Sequence, residues 1–318
     1  MGILDVKNLS VSFKEMNDNI CAVNELTFSL NKGECLAIVG ESGSGKSVTA
    51  MSIMRLLGKD ACIESGEILF KGRNLLKISE KEMQKIRGKK ISMIFQDPMT
   101  SLNPVYTIYH QILELYRIHQ GKNNYRNEII ELLKKLNITD PISILNKYPF
   151  ELSGGIQQRI IIAMAFALKP EIIIADEPTT ALDVSTQAEI LKLLKNLTKE
   201  VGASILLITH DMGVVAEMAD RVIVMYCGEK VEEREIEKFF LNPIHPYSRG
   251  LMEARPQNFD GRFHVIPGSI SRVSGKPKQC VYFARCPKWE KICKEHIPKT
   301  VGVSGGKVKC FLCENIKS

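Results

Sequence analysis

The octet Gly40-Glu41-Ser42-Gly43-Ser44-Gly45-Lys46-Ser47 fits the pattern G-x-x-x-x-G-K-[ST], with an apolar run before it and a helical pattern after it. Glycine at these positions lets the backbone wrap closely around a phosphate where side chains would collide. The N–H groups of the loop and the N-terminus of the following helix then point at the anion. Lys46 is expected to neutralise the β and γ phosphates of a nucleotide, and the Ser47 hydroxyl to ligate Mg²⁺. Such a cradle needs a carboxylate for the metal. Ile172-Ile173-Ile174-Ala175-Asp176-Glu177 offers an apolar strand closed by two acids. Asp176 is expected to hold Mg²⁺, directly or through water, and Glu177, one residue on, to polarise the attacking water as general base.

Those residues need a scaffold, and the hydrophobic pattern predicts one. Cys35–Val39, Ser204–Thr209 and residues 92–95, 172–175 and 222–225 read as buried strands. Residues 3–9 and 23–30 alternate apolar with polar and read as half-exposed antiparallel strands. Helical periodicity covers 47–57, 108–119, 128–136, 153–168 and 186–200. The alternation predicts an α/β fold with a mostly parallel sheet and helices on its faces. Residues 98–152, punctuated by Pro98, Pro104, Pro141 and Pro149, look inserted between two sheet strands. After Glu237 the α/β rhythm stops, and residues 242–279, rich in Pro, Gly and basic side chains, read as an extended connection.

Leu152-Ser153-Gly154-Gly155-Ile156-Gln157-Gln158-Arg159 resembles the signature motif of ABC transporter nucleotide-binding domains, which lies shortly before the acidic strand in that family, as here. With the phosphate loop and the Asp-Glu strand, residues 3–236 are identified as such a domain. The resemblance implies a P-loop NTPase (RecA-like) core with an antiparallel β subdomain, and an inserted helical subdomain over about 98–168. Domain boundaries of 1–240 and 241–318 follow. Further roles are implied in the same way. Gln96, in Phe95-Gln96-Asp97-Pro98, is similar to the Q-loop glutamine that contacts Mg²⁺ and water. His210, 34 residues past Asp176, is similar to the switch histidine facing the γ-phosphate. Ala181-Leu182-Asp183 resembles the D-loop, whose Asp183 would touch a second cassette. Phe13 is similar in placement to the aromatic that stacks on adenine, with Phe28 as the alternative. Ser153, Gly154 and Gly155 would open a helix toward the γ-phosphate held by the second cassette, so that two cassettes sandwich two ATP molecules.

The strings Phe95-Gln96-Asp97-Pro98-Met99-Thr100-Ser101-Leu102-Asn103-Pro104, Ala175-Asp176-Glu177-Pro178-Thr179-Thr180-Ala181-Leu182-Asp183 and His245-Pro246-Tyr247-Ser248-Arg249-Gly250-Leu251 resemble the oligopeptide/dipeptide/nickel importer ATPases. So does Ile266-Pro267-Gly268 ahead of a Cys-rich extension. This likeness implies an ATPase at the cytoplasmic face of the membrane, driving uptake of di- or oligopeptides, or of nickel or metal chelates. Its implied partners are two permeases, an extracellular solute-binding protein and a second ATPase subunit, with a different chain favoured over another copy. In that family a set such as Cys280, Cys286, Cys293 and Cys310 can carry a [4Fe–4S] cluster on four thiolates. A Cys₄ zinc site and metal-free thiols are the alternatives, and Cys313 offers another fourth ligand. Ser271 and Gln279 depart from the family's pattern, and Cys313 is extra.

Composition is consistent with this reading. Apolar residues make up 44% and charged residues 25% of the 318, an ordinary globular balance. The longest apolar stretch, residues 160–168, is far short of the ~20 residues of a spanning helix. No basic segment leading into an apolar run opens the chain, so no secretory signal is expected, and with reducing surroundings no disulfides are expected either. The net charge of +7 is uneven: residues 261–318 hold 12 Lys and Arg against three acids, a net of +9, leaving −2 for the remainder. That basic tail motivates one competing reading, a non-transport ABC ATPase acting on nucleic acid. A single cassette, the lack of sustained heptads and the sparse tail aromatics, Tyr282, Phe283 and Trp289, weigh against it, and no nucleic-acid partner is expected.

Overall fold

The computed structural model describes residues 2–14, 19–121, 123–180, 182–254, 266–269 and 274–314, with only the backbone described at Pro98 and Met99. Ala181 and Ser271 of the sequence reading, and much of the 242–279 connection, lie outside the described residues. The chain forms two compact units. One is built from residues 1–77 and 208–318, the other from residues 78–207.

The first unit begins with β1 (Leu4–Lys14), β2 (Asn19–Leu30), β3 (Cys35–Val39), α1 (Lys46–Met54), β4 (Ala61–Phe70) and β5 (Arg73–Asn74). The second holds α2 (Glu80–Ile86), β6 (Ile91–Ile94), α3 (Pro98–Ser101), α4 (Ile108–Gln120), α5 (Arg126–Lys135), α6 (Pro141–Leu145), α7 (Gly154–Phe166), β7 (Ile172–Asp176) and α8 (Val184–Val201). After β8 (Ser204–Thr209) come α9 (Met212–Met218), β9 (Arg221–Tyr226), β10 (Glu229–Glu235), α10 (Ile236–Leu241), α11 (Pro246–Glu253), α12 (Lys291–Glu295), β11 (Thr300–Val303), β12 (Gly306–Lys309) and α13 (Phe311–Glu314).

In the first unit, an antiparallel sheet runs β2-β1-β4-β5, and a second run of strands is ordered β11-β12-β10-β9-β3. The apolar strand β3 is buried throughout and pairs in parallel with β9, Ile38 opposite Ile223. Continuous burial of this kind is what a strand covered on both faces requires. In the second unit β6 and β7 pair in parallel, Met93 opposite Ile174. The apolar helix α7 is buried along residues 157–163.

Several elements differ from the sequence reading. Strand β4, with Glu64, Ser65, Gly66 and Glu67 in its middle, is not among the strands the hydrophobic pattern predicts. It forms because β1 offers a partner, with Val6 opposite Ile68, and because Gly66, at φ +106°, lets the backbones meet. A Cβ there would lie 2.7 Å from the Asn8 carbonyl oxygen. Strand β10, Glu-Lys-Val-Glu-Glu-Arg-Glu, looks like a solvated run, yet Glu229, Glu232 and Arg234 are buried. Each finds partners. Glu229 accepts from Asn24 and Lys309, and Glu232 accepts the backbone N–H groups of Ile244 and His245 and lies 3.6 Å from Arg234. Within the expected extended connection stands α11, started by Pro246 in the first turn, where no N–H is needed. The hairpin β11–β12 extends the sheet by pairing with β10, Glu232 opposite Val308.

His245 caps α11, its Nδ1 accepting the Tyr247 N–H at 3.1 Å, and is 2% exposed. Burial pushes its pKa from 6.5 down to about 3. Between those values the unfolded chain binds the extra proton, so stability is whole above pH 6.5 and is lost as pH falls toward 3. From pH 6.5 to 5 the loss is about 2 kcal/mol at 1.36 kcal/mol per pH unit. The urea midpoint is therefore expected to drop between pH 7 and 5. His245→Asn, which keeps an acceptor for the cap, should flatten that drop; an equally steep fall in the variant would exclude His245 as its source.

Candidate functional site

In the first unit the glycine-rich loop joins β3 to α1. Gly40 and Gly45 have φ of +151° and +100°. A Cβ on Gly40 would lie 2.2 Å from the Met225 carbonyl oxygen, and one on Gly45 2.4 Å from that of Ala22. Both glycines are thus dictated by close backbone packing. Gly43, at φ +82°, faces open space. The loop is further tied by Ser44 N–H to the Glu41 carbonyl at 3.2 Å and by Gly228 N–H to the Ser44 carbonyl at 3.0 Å. Lys46 is 6% exposed and its Nζ donates to the carbonyls of Gly40 at 2.7 Å and Glu41 at 2.9 Å. Ser42, Gly43 and Ser47 are exposed. The Ser44 hydroxyl is buried with no hydrogen-bond partner, so the loop holds a donor that its own geometry leaves unmet.

Phe13, near the end of β1, is half-buried, whereas Phe28 is 3% exposed in the core and has no ring face to offer a base. His210 is exposed directly after β8. Asp211 fixes the turn behind it, accepting the N–H groups of Gly213 and Val214 at the start of α9, while the Thr209 hydroxyl accepts the Asp211 N–H at 3.0 Å.

In the second unit Asp176 ends β7 and is 4% exposed. Glu177 follows at φ +48°, a left-handed conformation that costs a residue with a Cβ about 1–2 kcal/mol. Its Oε2 accepts from Gln96 Nε2 at 3.0 Å and from the Thr180 hydroxyl at 2.8 Å. The structure thus brings Gln96 and Glu177 together from β6 and β7, whose parallel pairing ends at Ile94 and Ala175. Thr180 was missed by the sequence reading, although it stands in the Pro178-Thr179-Thr180 string beside the acids. Ser153 precedes α7 in an extended conformation, makes no side-chain cap bond and is exposed together with Gly154. The helix is anchored from behind, with Gln157 donating to Pro149, Gln158 to Pro178, and Arg159 to the Leu136 carbonyl and Glu189. Asp183 is exposed and caps α8, accepting from Thr186 N–H at 3.0 Å and from the Ser185 and Thr186 hydroxyls. Those hydrogen bonds hold its carboxyl well below the usual range.

The cysteines of the tail gather in the first unit. Cys280 N–H donates to the Cys293 carbonyl at 3.0 Å. Burial pushes the Cys280 thiol up to about 12, with Cys293, Cys310 and Cys286 adding to the rise. Cys286 likewise feels Cys310 and Cys293. Cys313 instead shares a hydrogen bond with Cys310 that keeps the proton on Cys310. Among the described residues, no three His, Cys, Asp or Glu side chains converge as a single metal ion requires. No helix of the described residues is long and apolar enough to cross a membrane.

Comparison with known proteins adds the family. The ABC transporter pattern matches residues 23–180, and the pattern of the oligopeptide/dipeptide transporter C-terminal region matches residues 231–293. The chain is 47% identical to a probable peptide ABC transporter ATP-binding protein, y4tR, of Sinorhizobium fredii, over 93% of this chain and 90% of that one. It is 44% identical to the oligopeptide transport ATP-binding protein AppD of Bacillus subtilis, over 98% and 97%. It is 42% identical to the dipeptide transport ATP-binding protein DppD of Haemophilus influenzae, over 98% and 95%. Among solved structures it resembles the ATP-binding cassette MJ0796, determined as a dimer in a post-hydrolysis state bound to ADP and Pi, with a TM-score of 0.66 and 32% identity, covering 73% of this chain and 98% of that one.

Proposed function

The chain belongs to the ABC transporter ATP-binding subunits with the oligopeptide/dipeptide-type C-terminal region, and from that membership we propose that it hydrolyses ATP to drive peptide uptake through partner permeases. The observation that carries the hydrolytic reading is the Glu177 carboxylate, fixed by Gln96 and Thr180 at the end of an acidic strand in a chain that also holds a phosphate loop. The residues take these roles. Gly40, Glu41, Ser42, Gly43, Ser44 and Gly45 present backbone N–H groups to the phosphates, and Lys46 supplies positive charge. Phe13 stacks on the base. Ser47 and Asp176, with Gln96, would hold Mg²⁺; a hydroxyl, a buried carboxylate and an amide oxygen are the hard donors this ion takes. The ion would spread phosphate charge. Glu177 accepts the proton of the attacking water, and His210 faces the γ-phosphate. Ser153, Gly154 and Gly155, with Asp183, serve a second cassette, for which a different chain is favoured.

The three relatives described above are all named for peptide transport, which favours peptides over nickel or chelates. Nothing in the comparisons supports a nucleic-acid target. The proposed assembly has two permeases and an extracellular solute-binding protein, with this chain peripheral at the cytoplasmic face. Reconstitution of those components tests the reading. Peptide-loaded binding protein should stimulate ATP hydrolysis and peptide entry; stimulation by nickel alone, or by DNA without permeases, would overturn it.

For the tail we propose a [4Fe–4S] cluster on Cys280, Cys286, Cys293 and Cys310. Support comes from the packing of the segment, in which the Cys280 N–H donates to the Cys293 carbonyl at 3.0 Å, and from the Cys280 and Cys286 thiols, which both lie close enough to Cys293 and Cys310 to feel them. A Cys₄ zinc site on the same residues is the alternative. Anaerobically purified protein should be brown and contain about four iron and four sulfide per chain, the content of such a cluster. Colourless, iron-free protein would remove the cluster.

A further inference from the structure

Glu41, second residue of the phosphate loop, is held from two sides by the C-terminal part of the first unit. Its backbone N–H donates to the Tyr247 hydroxyl of α11 at 2.8 Å. Its Oε2 accepts from Arg285 Nη1 at 2.9 Å. The Arg285 side chain is 7% exposed, and three further hydrogen bonds hold it. Nε donates to the Pro267 carbonyl at 2.7 Å, Nη2 to that of Ile266 at 3.2 Å, and Nη1 also to the Tyr226 hydroxyl at 3.3 Å. The guanidinium lies 5.7 Å from the Tyr226 ring centre. One rigid planar fork thus joins the loop, β9 and residues 266–267. Tyr226, Tyr247 and Tyr282 pack against one another at centroid distances of 4.7, 5.0 and 5.3 Å, a platform that fixes the fork's surroundings. Arg285 itself ends a short 3-10 turn, Phe283–Arg285, immediately before Cys286.

Glu41 presents a problem that this arrangement solves. A carboxylate within a phosphate-binding loop repels the ligand, and its Oε1 is already buried with no hydrogen-bond partner. Pairing with Arg285 offsets the charge and fixes the side chain. The Tyr247 bond fixes the backbone at the same residue, so the loop is preset before the nucleotide arrives. We propose that Arg285 is a positioning residue for nucleotide binding, a latch through which the Cys-rich segment sets the geometry and charge of the phosphate loop. The proposal rests on reading Gly40–Ser47 as the ATP cradle. Coupling between linked sites is reciprocal: if the segment sets the loop, nucleotide in the loop must order the segment.

The test is a thermodynamic cycle on the full chain, purified as it exists, with ADP affinity read by fluorescent-nucleotide competition. Arg285→Ala should weaken ADP binding about tenfold, within the range of such couplings. Glu41→Ala removes the charge that needs pairing, so the double variant should bind no more weakly than Glu41→Ala alone. Arg285→Lys keeps the charge without the fork and stands in should the alanine variant not fold. Amide hydrogen exchange over residues 280–286 should slow when ADP binds the wild type and not when it binds Arg285→Ala. Unchanged affinity in Arg285→Ala, additive losses in the double variant, or nucleotide-independent exchange in the wild type would each overturn the latch. Failure of the wild type to bind ADP at all would instead overturn the reading of the cradle.

Discussion

Glu177→Gln is expected to lower ATP turnover by about 10²- to 10⁴-fold, the contribution of a positioned general base, with ATP affinity retained. The substitution is nearly isosteric. Glutamine keeps an oxygen to accept from Gln96 and Thr180, which lie 3.0 and 2.8 Å from Glu177 Oε2, but loses the basic carboxylate. Packing around the residue should survive, because its left-handed backbone is set by the turn at the end of β7 and not by the charge. Since binding outlasts chemistry, the variant should accumulate on gel filtration as ATP-held cassette pairs. Phosphate release measured beside nucleotide binding decides the matter, and near-normal turnover would sink the base assignment.

Most residues of the candidate site were legible in the sequence because they carry local signals. Gly40 and Gly45 are spaced by a backbone that tolerates no Cβ at either position. Asp176 and Glu177 end an apolar run that is buried throughout. Gln96 is unremarkable alone and is picked out by the string Phe95-Gln96-Asp97-Pro98, and its contact with Glu177 depends on the parallel register of β6 with β7, which pairs residues 81 apart in sequence. Thr180 escaped notice because a hydroxyl in a polar turn is common, and only the bond to Glu177 singles it out.

The tail was less legible. The pattern of β10 is that of a solvated charged run, and its burial follows from partners as distant as Lys309 and Asn24. Helix α11 is too short for periodicity to reveal, and its start is set by a histidine used as an N-cap, a residue type with little capping preference. Arg285 looked like one more cation of a basic tail. Its commitment to Glu41, 244 residues away, is visible only in the folded chain.

Lys46→Ala is expected to cost nucleotide affinity instead of turnover alone, by about 100-fold. The ammonium is 6% exposed and already oriented inside the loop by the carbonyls of Gly40 and Glu41. Little side-chain entropy remains to be lost when it meets a phosphate, so its charge-assisted hydrogen bonds count nearly in full. Bonds to charged groups contribute about 1.5–3 kcal/mol each. A net loss of about 3 kcal/mol is close to two factors of ten in dissociation constant. The loop should keep its shape in the variant, since its strained positions are glycines packed on Met225 and Ala22 and its Glu41 N–H is held by Tyr247. Thermal melts separate binding from folding. Without nucleotide the two proteins should melt alike. With ATP·Mg²⁺ at about 100 times the wild-type dissociation constant, the wild type should gain about 2.7 kcal/mol, whereas a hundredfold weaker variant, only half saturated, should gain about 0.4 kcal/mol. An equal gain in both would remove Lys46 from the cradle. A lower melting point without nucleotide would show that the ammonium braces the loop.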